Sequence, residues 1–207
     1  MASSAGSALA QSGAVATAEL RDAEGDPVGT AEFVEGSDGV VITVEVTEGV
    51  EPGVHGIHIH EKADLSSSDF ESAGDHFNPT NAQHGFDNPE GSHAGDLENI
   101  TVAEGGTASY QTTNDRITLS PGPNSILDED GSALIIHEMT DDYRTDDDPQ
   151  TGPGMSGDRI SAGVIEAAEP MPSTGGVGVL PLVALALGLV LLAGGKVLQA
   201  GARRKGA

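Results

Sequence analysis

The 207-residue chain contains no cysteine, which excludes disulfides and thiolate metal sites and leaves cysteine usage silent about redox compartment. Basic residues are scarce. Only Arg21, Lys62, Arg116, Arg144 and Arg159 stand against 33 acidic residues up to Glu169, leaving a charge of −28 there, and four later basic residues bring the total to −24. Nucleic acid and anionic lipid would be repelled by such a surface, so neither is an expected partner of this part of the chain; a strongly solvated surface, suited to high salt, is the plain reading. No internal repeat is present, which argues against a solenoid. Aromatic residues make up only 3%, glycine is abundant, and short Val/Ile/Thr segments alternate with Gly, Pro, Asp and Asn turns, the pattern of an all-β domain.

Histidine, by contrast, is concentrated. Six of the seven histidines fall between His55 and His93, and neutral imidazole is a donor suited to zinc and copper. This window organises the rest of the chain.

Residues 1–13 are small and polar and end near an Ala8-x-Ala10 pattern without a preceding apolar stretch, so they are expected to be a disordered arm or the remnant of a leader. The domain proper is expected over 14–168. Strand-like alternation covers Ala14–Leu20, Val28–Val34 and Val40–Val46, joined by Gly- and Asp-containing turns. A fourth strand is expected at His55–His60, and others at Ile100–Val102, Ala108–Thr112, Arg116–Leu119, Ala133–His137 and Arg159–Glu166. Two long loops interrupt them, Glu61–Asp96 and Glu138–Asp158, and loops of that length inside a domain are usually functional or disordered. The expected fold is therefore an eight-stranded antiparallel Greek-key barrel or sandwich, closed so that few edges remain.

Residues 169–176 read as a linker. Val177–Gly195 is uncharged and almost wholly apolar, about the length that crosses a bilayer, and a basic tail occupies 196–207. A transmembrane helix is expected there, with Arg203–Lys205 cytoplasmic and the acidic domain outside.

Within a strand, residues two apart share a face about 7 Å from each other. His58 and His60 can thus grip one ion, while His55 points the other way and is the structural histidine of the three. His76, His84, His93 and Asp96 lie in a loop that can fold back on itself, and three imidazoles with one carboxylate suit a closed zinc site. His137, added to His58 and His60, could complete a set for a redox metal such as copper.

These residues sit in motifs that resemble the copper/zinc superoxide dismutase family: GVHGIHIHE at Gly53–Glu61, SAGDHFNP at Ser72–Pro79, HG at His84, HAGDL at His93–Leu97, IIHE around His137, DDYRTD at Asp141–Asp146 and GDRISAGVI at Gly157–Ile165. The resemblance covers roughly Ala14–Glu166. It implies that His58, His60, His76 and His137 hold copper, that His76 is shared with a zinc ion held by His84, His93 and Asp96, and that Asp141 links the two sites by hydrogen bonds. It implies that Arg159 receives the anionic substrate, that His76 carries a proton, and that His55 is structural. The implied reaction is conversion of superoxide to oxygen and hydrogen peroxide by copper redox cycling, without an organic cofactor. A metal-buffering surface module without turnover is the alternative, and a homodimer stays open as an assembly.

Two departures from the family stand out. Its usual disulfide between the zinc loop and the strand after the arginine is replaced by Phe70 and Ala162, which could pack together, and the loop Glu138–Asp158 is acidic where the family often has steering lysines. Beyond the domain, Pro172-Ser173-Thr174-Gly175 before the apolar run and basic tail resembles a bacterial cell-wall sorting signal, with Met171 where leucine is usual. The expected location is extracytoplasmic, anchored to membrane or wall by the C-terminus; whether Thr174-Gly175 is cut stays open.

Overall fold

A computed structural model describes residues 13–89, 91–144 and 153–168. The expected N-terminal arm, linker, transmembrane helix and basic tail, with part of the second long loop, lie outside the described residues. Among those described, no helix is long and apolar enough to cross a membrane.

The described residues form ten strands: β1 (Val15–Arg21), β2 (Pro27–Gly36), β3 (Gly39–Val46), β4 (Gly53–His55), β5 (Ile57–His60), β6 (Ile100–Val102), β7 (Ala108–Asn114), β8 (Ala133–His137), β9 (Arg159–Val164) and β10 (Glu166–Ala167). The first three form the meander that their alternation predicts, with Ala16, Ala18 and Leu20 of β1 and Val40, Ile42, Val44 and Val46 of β3 turned inward. In β2 the inward set is Val28, Ala31 and Phe33, whose parity changes once. The reason is a shift of register in which Leu20 pairs with Gly29 and Arg21 with Pro27: Val28 is the extra residue of a bulge in β2 and turns to the core.

Eight strands make one curled antiparallel sheet in the order β5-β8-β9-β1-β2-β3-β7, with β10 also paired to β1, while β4 and β6 form a separate ribbon. The sheet is a half-barrel whose ladder runs from β5 to β7 without closing between them among the described residues. The chain crosses between its ends twice, from β3 to β5 and from β7 to β8.

Two expectations are corrected. The strand read as His55–His60 is broken at Gly56: β4 pairs with β6, whereas β5 pairs with β8. At the break the Gly56 N–H donates to Met139 O at 2.8 Å and its carbonyl accepts from His137 N at 2.8 Å, and a Cβ there would press on the Ser156 side chain at about 3 Å. Arg116–Leu119 is not a strand. Its alternation reports real burial, since Ile117 and Leu119 face the core, but Pro121 and Pro123 turn the chain back on itself, and Thr118 meets Ser125 in an isolated bridge.

The main core lies inside the curl, built mostly from aliphatic residues such as Ile42, Ile57, Ile59, Ile100, Leu134 and Ile136, with Phe33. Strand β8 is buried on both faces, because Ala133 and Ile135 join Phe70, Ala73 and Ala162 in a second cluster on its other side. Phe70, 6% exposed, thus reaches from the first long loop onto β9 beside Ala162, where the missing disulfide would have tied the same two segments.

Candidate metal centre

Backbone hydrogen bonds explain why distant ligands meet. One edge of β5 pairs with β8; the other is covered by the long loop, through Ile59 N to Gly95 O at 2.9 Å, Phe77 N to Ile59 O at 2.8 Å and Gly95 N to Phe77 O at 2.8 Å. Short bridges set His60 beside His76 and His58 beside Asp96. Gly95 is required at this crossing, because a Cβ would lie 2.3 Å from Ile59 O. Once the loop is laced to β5 in this way, its ligands have little freedom left.

The first cluster joins His58, His60, His76 and His137, one nitrogen from each lying within 4.8 Å of the others. The outer nitrogens of three rings are already taken. His60 Nδ1 donates to Gly74 O at 2.9 Å, His137 Nδ1 to Gly157 O at 3.2 Å, and His58 Nε2 meets Asp141 Oδ2 at 2.6 Å. Those bonds leave His60 Nε2 and His137 Nε2 facing each other at 3.4 Å, and His58 Nδ1 buried with no hydrogen-bond partner among the described residues. Lone pairs converging in a dry site repel unless a cation lies among them, so this donor set fits a metal that prefers imidazole. Burial, reinforced by the charges neighbouring imidazoles would carry and by Arg159, holds His60 and His137 well below the ordinary histidine range, and His76 is lowered to about 3 mainly by burial, so all three are neutral donors.

The second cluster joins His76, His84, His93 and Asp96, again within 4.8 Å. Asp96 is 1% exposed, and its Oδ1 lies 2.9 Å from His76 Nδ1, 3.1 Å from His84 Nδ1 and 3.3 Å from His93 Nδ1. The last contact lacks hydrogen-bond geometry, so His93 Nδ1 has no hydrogen-bond partner among the described residues. Oδ2 accepts from the backbone of Gly85 and His93 at 3.0 Å each. Three ring nitrogens around one carboxylate oxygen are the tetrahedral set a zinc ion takes. His76 belongs to both clusters and stands between them.

Asp141, 2% exposed, spans the clusters from behind, its Oδ2 on His58 and its Oδ1 3.1 Å from His84 Nε2. The trio His58, His84 and Asp141 is also close enough to hold an ion. Its contacts are of hydrogen-bond length, and such outer bonds fix the tautomer and direction of ligand rings. Asn99 holds Asp141 in turn, accepting from its N–H at 2.9 Å and donating to its carbonyl at 2.9 Å. Sequence reasoning missed Asn99, since one asparagine in a turn-rich loop carries no pattern.

His55 has both ring nitrogens on carbonyls, Nδ1 on His137 O at 2.8 Å and Nε2 on Glu51 O at 2.9 Å, so none remains for a metal. Arg159 opens β9 in register with His137. Its Nη1 donates to Phe70 O at 2.7 Å and its Nη2 to Gly74 O at 2.9 Å, the same carbonyl that orients His60.

Burial alone would lower His84, but its hydrogen bonds to Asp141 and Asp96 outweigh that effect and raise it to about 10. Below that pH the metal-free protein holds His84 as an imidazolium between two carboxylates, and an ion bound at Nδ1 must expel a proton. Zinc affinity should therefore fall as pH falls. At about pH 7.5, zinc titration calorimetry in buffers of different ionisation enthalpy should report release of about one proton, as ligand deprotonation requires; an enthalpy independent of buffer would contradict this.

Residues 28–165 match the family described as copper/zinc superoxide dismutase (SODC). The superoxide dismutase-like protein YojM of Bacillus subtilis (strain 168) is 47% identical over 118 residues, 56% of this chain and 58% of that protein. Copper-zinc superoxide dismutase 2 of Aquifex aeolicus (strain VF5) is 44% identical over 109 residues, 52% of this chain and 61% of its own. The chain thus spans about three fifths of the length of these curated relatives. Among solved structures, a SOD-like protein from Bacillus subtilis superposes with a TM-score of 0.66 at 42% identity, covering 72% of this chain and 96% of that one. The clock protein EA4 superposes with a TM-score of 0.64 at 34% identity, covering 76% of this chain and 97% of that one.

Proposed function

The chain belongs to the copper/zinc superoxide dismutase family, and from that membership we propose that it converts superoxide to dioxygen and hydrogen peroxide. The observation that supports this most is the pairing of two metal-fit clusters through His76, with Arg159 beside the first. The family uses copper and zinc, and the orphaned nitrogens of His58 and His93 fit the residues here to both. His58, His60, His76 and His137 would hold copper, which supplies a one-electron redox couple when bound, and His76, His84, His93 and Asp96 would hold zinc.

The protein's own groups then have separable tasks. Arg159 offers fixed positive charge and N–H donors to an anion, already oriented by Phe70 and Gly74. With His76 Nδ1 turned to Asp96 and the second cluster, its other nitrogen is the one that would take up or give up a proton at the first cluster once the second is filled, and the reaction consumes two protons for each pair of anions. Asp141 and Asn99 keep the ligand rings aimed.

Among the relatives, some are named superoxide dismutase and some superoxide dismutase-like, so turnover has to be measured. A metal-buffering module is the second reading: it needs the clusters but not an arginine placed beside them. Superoxide disappearance should be catalysed by protein whose copper and zinc content has been assayed; bound copper without turnover would favour buffering. Because the chain up to Glu169 carries −28, an approaching anion is opposed at long range, and screening by salt relieves that opposition. The bimolecular rate should accordingly rise, or fall only weakly, with added salt. A steep fall would count against it.

For location, the proposal is an extracytoplasmic domain held at the cell surface through the C-terminus, supported by the apolar run Val177–Gly195, the basic residues after it and the sorting-like segment before it. Activity on intact cells that external protease removes would fit; activity confined to lysates would not.

A further inference from the structure

Arg159 is not free to meet an anion. Its side chain is 11% exposed, and its Nη2 lies 3.4 Å from Glu71 Oε2, a carboxylate that is itself 67% exposed. Nη2 already donates to Gly74 O, and the carboxylate is held beside it as an ion pair rather than by a hydrogen bond. Asp69 and Asp75, both exposed, add their charges from the same short segment, while His60 and His137 on the inner side are neutral. Glu71 is held near by its place in the loop. It opens the short 3-10 turn Glu71–Ala73 directly after Phe70, whose side chain is buried in the second apolar cluster and whose carbonyl accepts from Arg159. The anchor that replaces the disulfide therefore also positions a carboxylate on the substrate arginine.

We propose that Glu71 is an anion-discriminating residue: its carboxylate competes with small anions for Arg159, so that weakly held bystander anions are kept off the guanidinium. At 3.4 Å, with one partner in solvent, the pair is loose enough to yield to an anion that gains a further interaction at the first cluster. A chloride-rich or otherwise saline medium would fill an unguarded arginine, and the guard lowers such occupancy at some expense of substrate attraction. The effect is local to one contact and differs in that respect from the long-range repulsion by the whole domain.

The inference rests on the proposed superoxide reaction, and the test separates the two. Azide is titrated into the copper- and zinc-loaded full chain, followed by its copper absorption, for wild type, Glu71→Gln and Asp69→Asn, with superoxide turnover measured alongside. Glu71→Gln should tighten azide binding by roughly two- to fivefold, the range of an exposed ion pair, and speed turnover at low salt, with metal content and the copper spectrum unchanged. Asp69→Asn, which removes the same charge without the contact, should change azide affinity less. Equal affinity in wild type and Glu71→Gln, or an equal gain in Asp69→Asn, would overturn the proposal. Selective tightening without turnover in any variant would leave Glu71 its role and remove the superoxide reaction.

Discussion

Asp96→Ala should abolish ordered zinc binding and release the long loop from the sheet. Among the described residues no other side chain serves so many partners: three imidazoles converge on one oxygen of Asp96 and two backbone N–H groups on the other, and Asp96 itself is 1% exposed. Removing it costs the ion a ligand and leaves the amides of Gly85 and His93 buried without an acceptor, each at about 1–3 kcal/mol. Zinc affinity should fall by more than the roughly 10- to 100-fold that supporting residues contribute around a metal. Competition titration with a zinc chelator measures this, and hydrogen exchange across residues 61–96 reports the loop, with the largest acceleration expected at Gly85 and His93. Affinity within tenfold of wild type would show that the convergence on Asp96 is not what binds zinc. In the wild type, removal of zinc should accelerate exchange over the same segment, because no disulfide restrains it; unchanged protection would show that packing alone orders the loop.

His60→Ala is expected to separate the two centres in the opposite sense, losing copper and all measurable superoxide turnover while keeping zinc. The ring is 1% exposed and supplies one of the convergent nitrogens, yet none of its hydrogen bonds reaches the second cluster. Gly74 O keeps Arg159 Nη2 as a donor when the ring is gone, so the loop has no orphaned acceptor at that point. Metal analysis with the activity assay decides the matter, and far-UV circular dichroism checks that the sheet persists. A variant that retained copper and turned over at the wild-type rate would remove His60 from the copper set.

Much of this was legible in the sequence for a physical reason. In a meander each strand pairs with the next, so the alternation of Ala16, Ala18 and Leu20 or of Val40, Ile42 and Val44 is decided within a few residues and can be read directly. The clustering histidines are similarly visible, since metal ligands must be particular residue types wherever the backbone goes. What stayed hidden depends on contacts distant in sequence. Gly56 looks like one more strand residue until β4 is seen to leave with β6 and β5 with β8. The segment at Ile117 and Leu119 alternates correctly but, among the described residues, has no neighbouring strand to complete a ladder. Asn99 and Glu71 belong to residue types found in any polar loop, and only the return of the chain onto Asp141 and Arg159 distinguishes them.

The apolar cluster of Phe70, Ala73, Ala133, Ile135 and Ala162 carries a further consequence. A covalent tie depends on thiol oxidation during maturation and thereafter ignores the solvent. An apolar tie needs no oxidising compartment and no isomerase, and thiol reductants leave it intact, but its strength follows the medium: excluded salts and osmolytes reinforce it, and cooling weakens it. Since the carbonyl of Phe70 also orients Arg159, the readiness of the proposed anion site would be coupled to the water activity around the protein rather than to its redox history.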